Sequence, residues 1–310
     1  MDNSPQQSPD AILMVRPKHF FPNDETAADN KFQAIENPAL KTAIHSQARA
    51  AFDAAVHILE REGVKVYVLD DRDDVITPDS VFPNNWFSCH HNGTAVFYPM
   101  HAHSRRLERR PDVLDLLAKD YNIKESWDLS PYENDGKILE GTGALVLDNV
   151  AKVAYMTRSK RANEDLLNHF CQHLGYSPFV FDSFGPDGDP IYHTNVVMGI
   201  GAHFAMVGLE CVKDSAQRHA LEQSLTNSDK EIISLSMDQI NQFAGNVFEL
   251  NTPDGPIVAM SQSAYNSLNH DQLTRIEAHA KPLPLSVPTI EKSGGSVRCM
   301  MAAIHLPRLP

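Results

Sequence analysis

Cysteine is scarce in this chain and never paired: Cys89, Cys171, Cys211 and Cys299 stand far apart in 310 residues, with no CxxC. That argues against a disulfide framework and against zinc sites built from paired thiolates. Long apolar runs are missing too. None approaches the roughly 20 residues that span a bilayer, and the opening MDNSPQQSPD is polar and acidic, unlike a signal peptide. A cytoplasmic location is therefore expected. Positive charge is short as well, for net charge is −13 and the sequence pI is near 5.5. A nucleic acid or an anionic membrane needs a basic patch, so neither is the expected partner. No low-complexity segment follows residue 10.

What is present is a globular composition with 42% hydrophobic residues, enough for one large domain. Residues 1–10 read as a disordered lead-in and 11–310 as a single domain. Ala11–Val15 is a short apolar strand. Pro38–Glu62 carries helical spacing in Leu40, Ile44, Ala48, Phe52, Val56 and Leu59, and Val64–Leu69 alternates as a strand. Further helices are expected at Pro111–Tyr121, Arg161–Leu174, Ser215–Thr226 and Gln272–Ala280. The alternation of strand and helix patterns predicts an α/β fold.

A repeat runs through it. Five expected strands open on a polar or glycine-rich cluster: DSVFPNNWF from Asp79, EGTGALVL from Glu140, YHTNVVMGIG from Tyr192, GNVFEL from Gly245 and GGSVRCMMAAI from Gly294. An interval of 53 residues separates Glu140 from His193, His193 from Asn246, and Asn246 from Cys299, while Asn85 precedes Glu140 by 55. A fixed period of this size marks units that bury their cores against one another. A closed ring would gather Asn85, Glu140, His193, Asn246 and Cys299 at one centre.

That set can do chemistry. A cysteine opening a buried strand is by default a small core hydrophobe. Gly294-Gly295, neighbouring Arg298, and a His and a Glu at equivalent repeat positions turn the reading towards a nucleophile. Arg298 would favour the thiolate only if its side chain turned to the sulfur. His193 can protonate a leaving amine and then activate water. Glu140 can hold a substrate N–H or orient the imidazole.

The motifs EGTG, YHTN and GG-x-x-RC, with ILMVRP and PDSVFPNNWF, resemble the guanidino-group-modifying superfamily of pentein fold across residues 11–307. That superfamily includes arginine deiminases, dimethylarginine hydrolases and glycine amidinotransferases. The branch of citrulline-utilisation hydrolases, often labelled amidinotransferase-like or arginine-deiminase-related, looks most similar. The resemblance implies a five-bladed α/β propeller of ββαβ repeats around a central channel. It implies Cys299 as nucleophile, His193 as general acid/base and Glu140 as its carboxylate partner, with no cofactor and no metal. Asp79 opens the motif that in dimethylarginine hydrolases reads P-D-S-x-F-x-E-D. Arg105 and Arg106 fall in S-R-R-x-E, and Arg161 in S-x-R-x-N. In those relatives the arginines grip the substrate's α-carboxylate, a task that suits a bidentate fork.

Departures from the family pattern point to the substrate. Asn84 and Asn85 stand where guanidine-binding relatives carry acids, and Asn195 stands where deiminases and amidinotransferases place Asp. An amide offers both a donor and an acceptor, which suits a neutral ureide better than a guanidinium. A citrulline-type, amino-acid-like small molecule is the expected partner, and self-association is left open. The alternatives are deimination of arginine or amidino transfer, a metallohydrolase using Cys89-His90-His91 and His101-x-His103, and a non-catalytic binding protein. Trp86 and the methionines Met198, Met206, Met300 and Met301 read as core. Asn246 either lines the channel or serves a turn.

Overall fold

The computed structural model describes residues 6–27, 30–34 and 41–310. Contacts divide the chain into two compact units. One comprises Asp10–Thr142, Val287–Gly295 and Cys299–Pro310; the other comprises Gly143–Ser286, Ser296–Arg298 and the described residues up to Pro9.

The first unit holds two three-stranded sheets. In one, β1 (Ala11–Arg16) runs parallel to β2 (Lys65–Asp70) and antiparallel to β15 (Ala302–Ala303). In the other, β4 (Thr94–Phe97) runs antiparallel to β3 (Phe87–Cys89) and parallel to β5 (Glu125–Asp128). Parallel neighbours need a crossover. Between β1 and β2 it is the helix Lys41–Arg61, which buries Ile44, Ala48, Phe52, Ala55 and Leu59 along one face. Leu13, Val15, Trp86, Phe87, Phe97 and Ile304 join in one apolar cluster of this unit. Trp86 is 1% exposed beside Phe87 and Phe97, so the packing role expected for it holds.

The second unit repeats the pattern three times. Its sheets are β6 (Leu145–Asp148), β7 (Val153–Thr157) and β8 (Ser177–Phe181); β9 (Met198–Ile200), β10 (Phe204–Val207) and β11 (Glu231–Ser234); and β12 (Phe248–Thr252), β13 (Gly255–Ser261) and β14 (Lys281–Leu285). In each, the first two strands are antiparallel and the last two parallel. The crossover helices start on side-chain caps that satisfy an otherwise unpaired backbone N–H. Asn163 caps Glu164–Leu174, Asp214 caps Ser215–Asn227 and Asn269 caps His270–Glu277. All five sheets among the described residues thus share one ββαβ plan, and the sheet of β1 draws its antiparallel strand from Ala302–Ala303.

Several boundaries differ from expectation. The helix expected at Pro111–Tyr121 is only Val113–Leu117, and the one expected from Gln272 begins at His270. Residues 38–40 of the first expected helix lie outside the described residues. The polar clusters do not open strands directly. Each marker sits on or beside a short turn, and the strand starts a few residues later. Cys299 lies in the 3-10 turn Val297–Met300, with β15 starting at Ala302. Of the lead-in expected to be disordered, residues 1–5 lie outside the described residues. Gln7 and Ser8 are buried, with Gln7 bonded to Leu147 and Asn149 and Ser8 to Glu249. The four methionines expected in the core are each fully buried.

Candidate active site

In the first unit the turn Pro83–Asn85 and the segment Glu140-Gly141-Thr142 pack closely against each other. The Thr142 hydroxyl donates to the Asn84 carbonyl at 3.2 Å. Gly141 has φ +42°, and a Cβ built there would stand 2.5 Å from the Asn84 carbonyl oxygen and 2.8 Å from that of Asn85. Only glycine accepts both the left-handed backbone and this approach. This packing sets Glu140, which is fully buried, beside the two asparagines, and one of its oxygens accepts the His101 backbone N–H at 3.0 Å.

Arg105, 2% exposed, is the cation set among Asp79 and Glu108. It was expected to grip a substrate carboxylate, and the structure gives its fork another task. Its Nε and Nη2 donate to Glu108 at 2.9–3.2 Å, Nη2 also donates to the Phe82 carbonyl, and Nη1 donates to Asn85 Oδ1 at 2.7 Å. Asp79 lies 4.0 Å from Nε and accepts from Asn23. Burial pulls the Glu108 carboxyl up to about 8 against the opposing pull of Arg105. The charge of Arg105 is in turn held firmly in place by Glu108, Asp79 and Glu140, so its pKa lies above the ordinary value despite burial. Glu108 was visible in the S-R-R-x-E motif without a role; its signal was the i,i+3 spacing from Arg105 on a helical turn. Arg106 is spent differently, donating to the Met100 and His101 carbonyls, with Glu133 at 3.5 Å.

Asn84 and Asn85 keep unspent polarity. Asn84 is 0% exposed, and neither its Oδ1 nor its Nδ2 has a hydrogen-bond partner among the described residues; the same holds for Asn85 Nδ2. A buried amide left without partners is costly in a protein interior.

The glycines before Cys299 make room for protein rather than substrate. A Cβ on Gly294 would meet the Asn30 amide at 2.4 Å, and one on Gly295 would meet the Phe82 ring at 2.7 Å. Cys299 is 3% exposed. Burial alone pushes the Cys171 thiol up to about 12 and, as the main cause, that of Cys211 up to about 11, and it raises Cys89 as well. Cys89 packs in the apolar cluster, and neighbouring His90 bonds the Ser88 hydroxyl. Among the described residues no three potential metal ligands converge.

In the second unit the His193 turn is built the same way. His193 precedes the turn Thr194–Val197 in extended backbone, and the Thr194 hydroxyl donates to the Ala144 carbonyl while accepting the Thr157 N–H at 2.8 Å. The His193 ring lies 4.6 Å from that of Tyr192, whose other neighbour is the Arg161 guanidinium at 4.7 Å. Arg161 is 3% exposed. Asn246 bridges two backbone segments: its Nδ2 donates to the Asn195 carbonyl at 2.9 Å and its Oδ1 accepts the Arg298 N–H at 3.0 Å. One amide thereby ties the backbone two residues after His193 to the backbone one residue before Cys299. Arg298 itself lies over the Phe248 ring at 4.0 Å.

The sequence profile of N,N dimethylarginine dimethylhydrolase, in its eukaryotic form, matches residues 16–306. The chain belongs to this family. It is thus a member of the guanidino-group-modifying superfamily and a hydrolase acting on non-peptide C–N bonds. Solved structures share the family's α/β fold. The N-terminal domain of ArgZ, an arginine dihydrolase of the ornithine-ammonia cycle in cyanobacteria solved with bound substrate, superposes with TM-score 0.73 at 16% identity. The match covers 96% of this chain and 99% of that one. Unliganded AgrE gives 0.72 at 16% identity, covering 97% of this chain and 40% of AgrE. A dimethylarginine dimethylaminohydrolase in adduct with S-methyl-L-thiocitrulline gives 0.62 at 14% identity, covering 96% and 99%. No curated protein sequence matches the chain.

Proposed function

We propose that this chain is a cofactor-independent cysteine hydrolase that cleaves the ureido C–N bond of citrulline or a close analogue. The observation that carries the substrate is the buried, unpartnered amide of Asn84, which offers a donor and an acceptor to a head group having both. The nucleophile rests on the position of Cys299 in the repeat and on the family pattern. The propeller expected from the five ββαβ sheets, closed around a channel within a single catalytic domain, belongs to the same proposal, as does the cytoplasmic location.

The Cys299 thiolate attacks the ureido carbon, and imidazolium His193 protonates the departing δ-nitrogen, releasing the amine and leaving a carbamoyl group on sulfur. Neutral His193 then takes a proton from water. The resulting hydroxide expels the thiolate, releasing carbamic acid and restoring imidazolium. Glu140 holds the imidazole or a substrate N–H, and fixed dipoles around the site stabilise the developing charge.

A guanidino substrate is the second reading. Asp79 and Glu140 both lie in the field of Arg105, and an excess of carboxylates favours a cation. Turnover of citrulline and arginine side by side separates the two, and a clear preference for arginine refutes the ureide. Cys299→Ser and His193→Ala should each abolish turnover with circular dichroism unchanged, and intact-mass spectrometry should find the carbamoyl adduct on Cys299 alone. Near-normal activity in either variant refutes the roles.

A further inference from the structure

Asn84 and Asn85 adjoin in sequence, yet the structure treats their amides differently. Arginine has five N–H donors and no acceptor. The Asn85 atom 2.7 Å from Arg105 Nη1 is therefore its oxygen by necessity, and its NH2 faces away. Arg105 cannot swing to release it, because Glu108 takes its Nε and Nη2 and the Phe82 carbonyl takes Nη2 as well, all in a buried cluster. Asn84 has no such tie and can present either end.

We propose that Arg105 and Glu108 are positioning residues that pin Asn85 as an obligate donor, so that the site reads a neutral carbonyl oxygen on the substrate head group and discriminates against guanidinium. The inference rests on the hydrolase reading above and deepens it. An acceptor is required opposite Asn85 Nδ2, which is buried with no partner among the described residues. Guanidinium has none. A carboxylate has one but is an anion, and Asp79 and Glu140 already set negative charge against Arg105. A ureido carbonyl supplies the acceptor without charge, and its NH2 is left for Asn84 Oδ1.

Equilibrium binding to the Cys299→Ala variant tests this, with citrulline, arginine and butylurea, which keeps the ureide and lacks the amino-acid end. Citrulline should bind more tightly than arginine by roughly 5- to 100-fold, the range set by one unmet buried donor. Adding Asn85→Asp keeps an acceptor for Arg105 but turns the second oxygen to the ligand. The citrulline-to-arginine ratio should then fall at least about tenfold, with butylurea weakening in parallel with citrulline. Arg105→Met should relax the same ratio by freeing the Asn85 amide to turn. Should an acidic side chain at 85 prevent folding, Asn85→Ala must weaken citrulline and spare arginine. The inference is overturned by a ratio unchanged within twofold, by tighter arginine in the parent variant, by no binding of either, or by citrulline weakening while butylurea does not. Because binding is read without the nucleophile, the outcome is independent of the role of Cys299, which wild-type turnover decides separately.

Discussion

Replacing Gly141 by alanine is the sharpest probe of how the Glu140 turn is held. Two costs are separable. The left-handed φ of +42° charges a side-chain-bearing residue about 1–2 kcal/mol. The added methyl also stands 2.5 Å from the Asn84 carbonyl oxygen, where real contacts essentially never fall under 3.0 Å. At least 0.5 Å must therefore be opened between two backbone segments, and overpacking of that kind costs about 1–3 kcal/mol. Together they remove about 2–5 kcal/mol. For 310 residues, with an unfolding entropy of about 2.1 cal/mol/K per residue, that lowers Tm by roughly 3–8 °C. A misplacement of about 1 Å costs about 100-fold in rate, so half that at Glu140 and Asn84 should cost about tenfold in kcat/KM. Gly136→Ala is the control: φ is +67° with nothing within 4 Å of the new Cβ. It should show the backbone part alone, a fall of about 2–3 °C, with activity kept. Thermal melts and initial rates of the three proteins decide. A Gly141→Ala variant within 1 °C of Gly136→Ala and within twofold of wild-type rate refutes the close contact.

Asn246 offers a second test. Asn246→Asp keeps the acceptor for the Arg298 N–H and loses the donor to the Asn195 carbonyl, so it should destabilise by about 1–3 kcal/mol and lower kcat more than it raises KM; equal effects on both would argue for a purely structural tie. Acid pH supplies a third. Burial pushes the Glu25 carboxyl up, but bonds from the Ser104 hydroxyl and the Ser104 and His103 N–H groups outweigh it and leave its pKa below the ordinary value. This contact is complete above the unfolded carboxylate value near ~4.3 and is lost as pH falls through the lowered folded value. Protection factors of the His103 and Ser104 amides, corrected for the intrinsic slowing of exchange in acid, should fall on acidification and in Glu25→Gln at neutral pH; unchanged protection in that variant would rule the contact out.

The repeat was readable because Glu140, His193, Asn246 and Cys299 recur at one interval, and any unit that packs the same way on its neighbour must keep its length. The turns that carry them were misread as strand starts because glycine-rich clusters and apolar runs abut without a break at these positions. The fate of Arg105 was not legible. Whether a guanidinium grips a ligand or a neighbouring carboxylate depends on burial and on Glu108, and a motif records neither. Asn246 was ambiguous for the same reason, since both of its bonds go to backbone.

The pairing of β1 with β15 joins Ile12 to Ala303, whereas β3 and β4 meet through Cys89 and Ala95. Closing the longer loop costs roughly 3 kcal/mol more of chain entropy, and only two residue pairs reward it. Contacts of such long sequence separation form late. Cys299 lies three residues before β15. The local hairpins and crossovers of all the other strands can therefore form before Cys299 is placed.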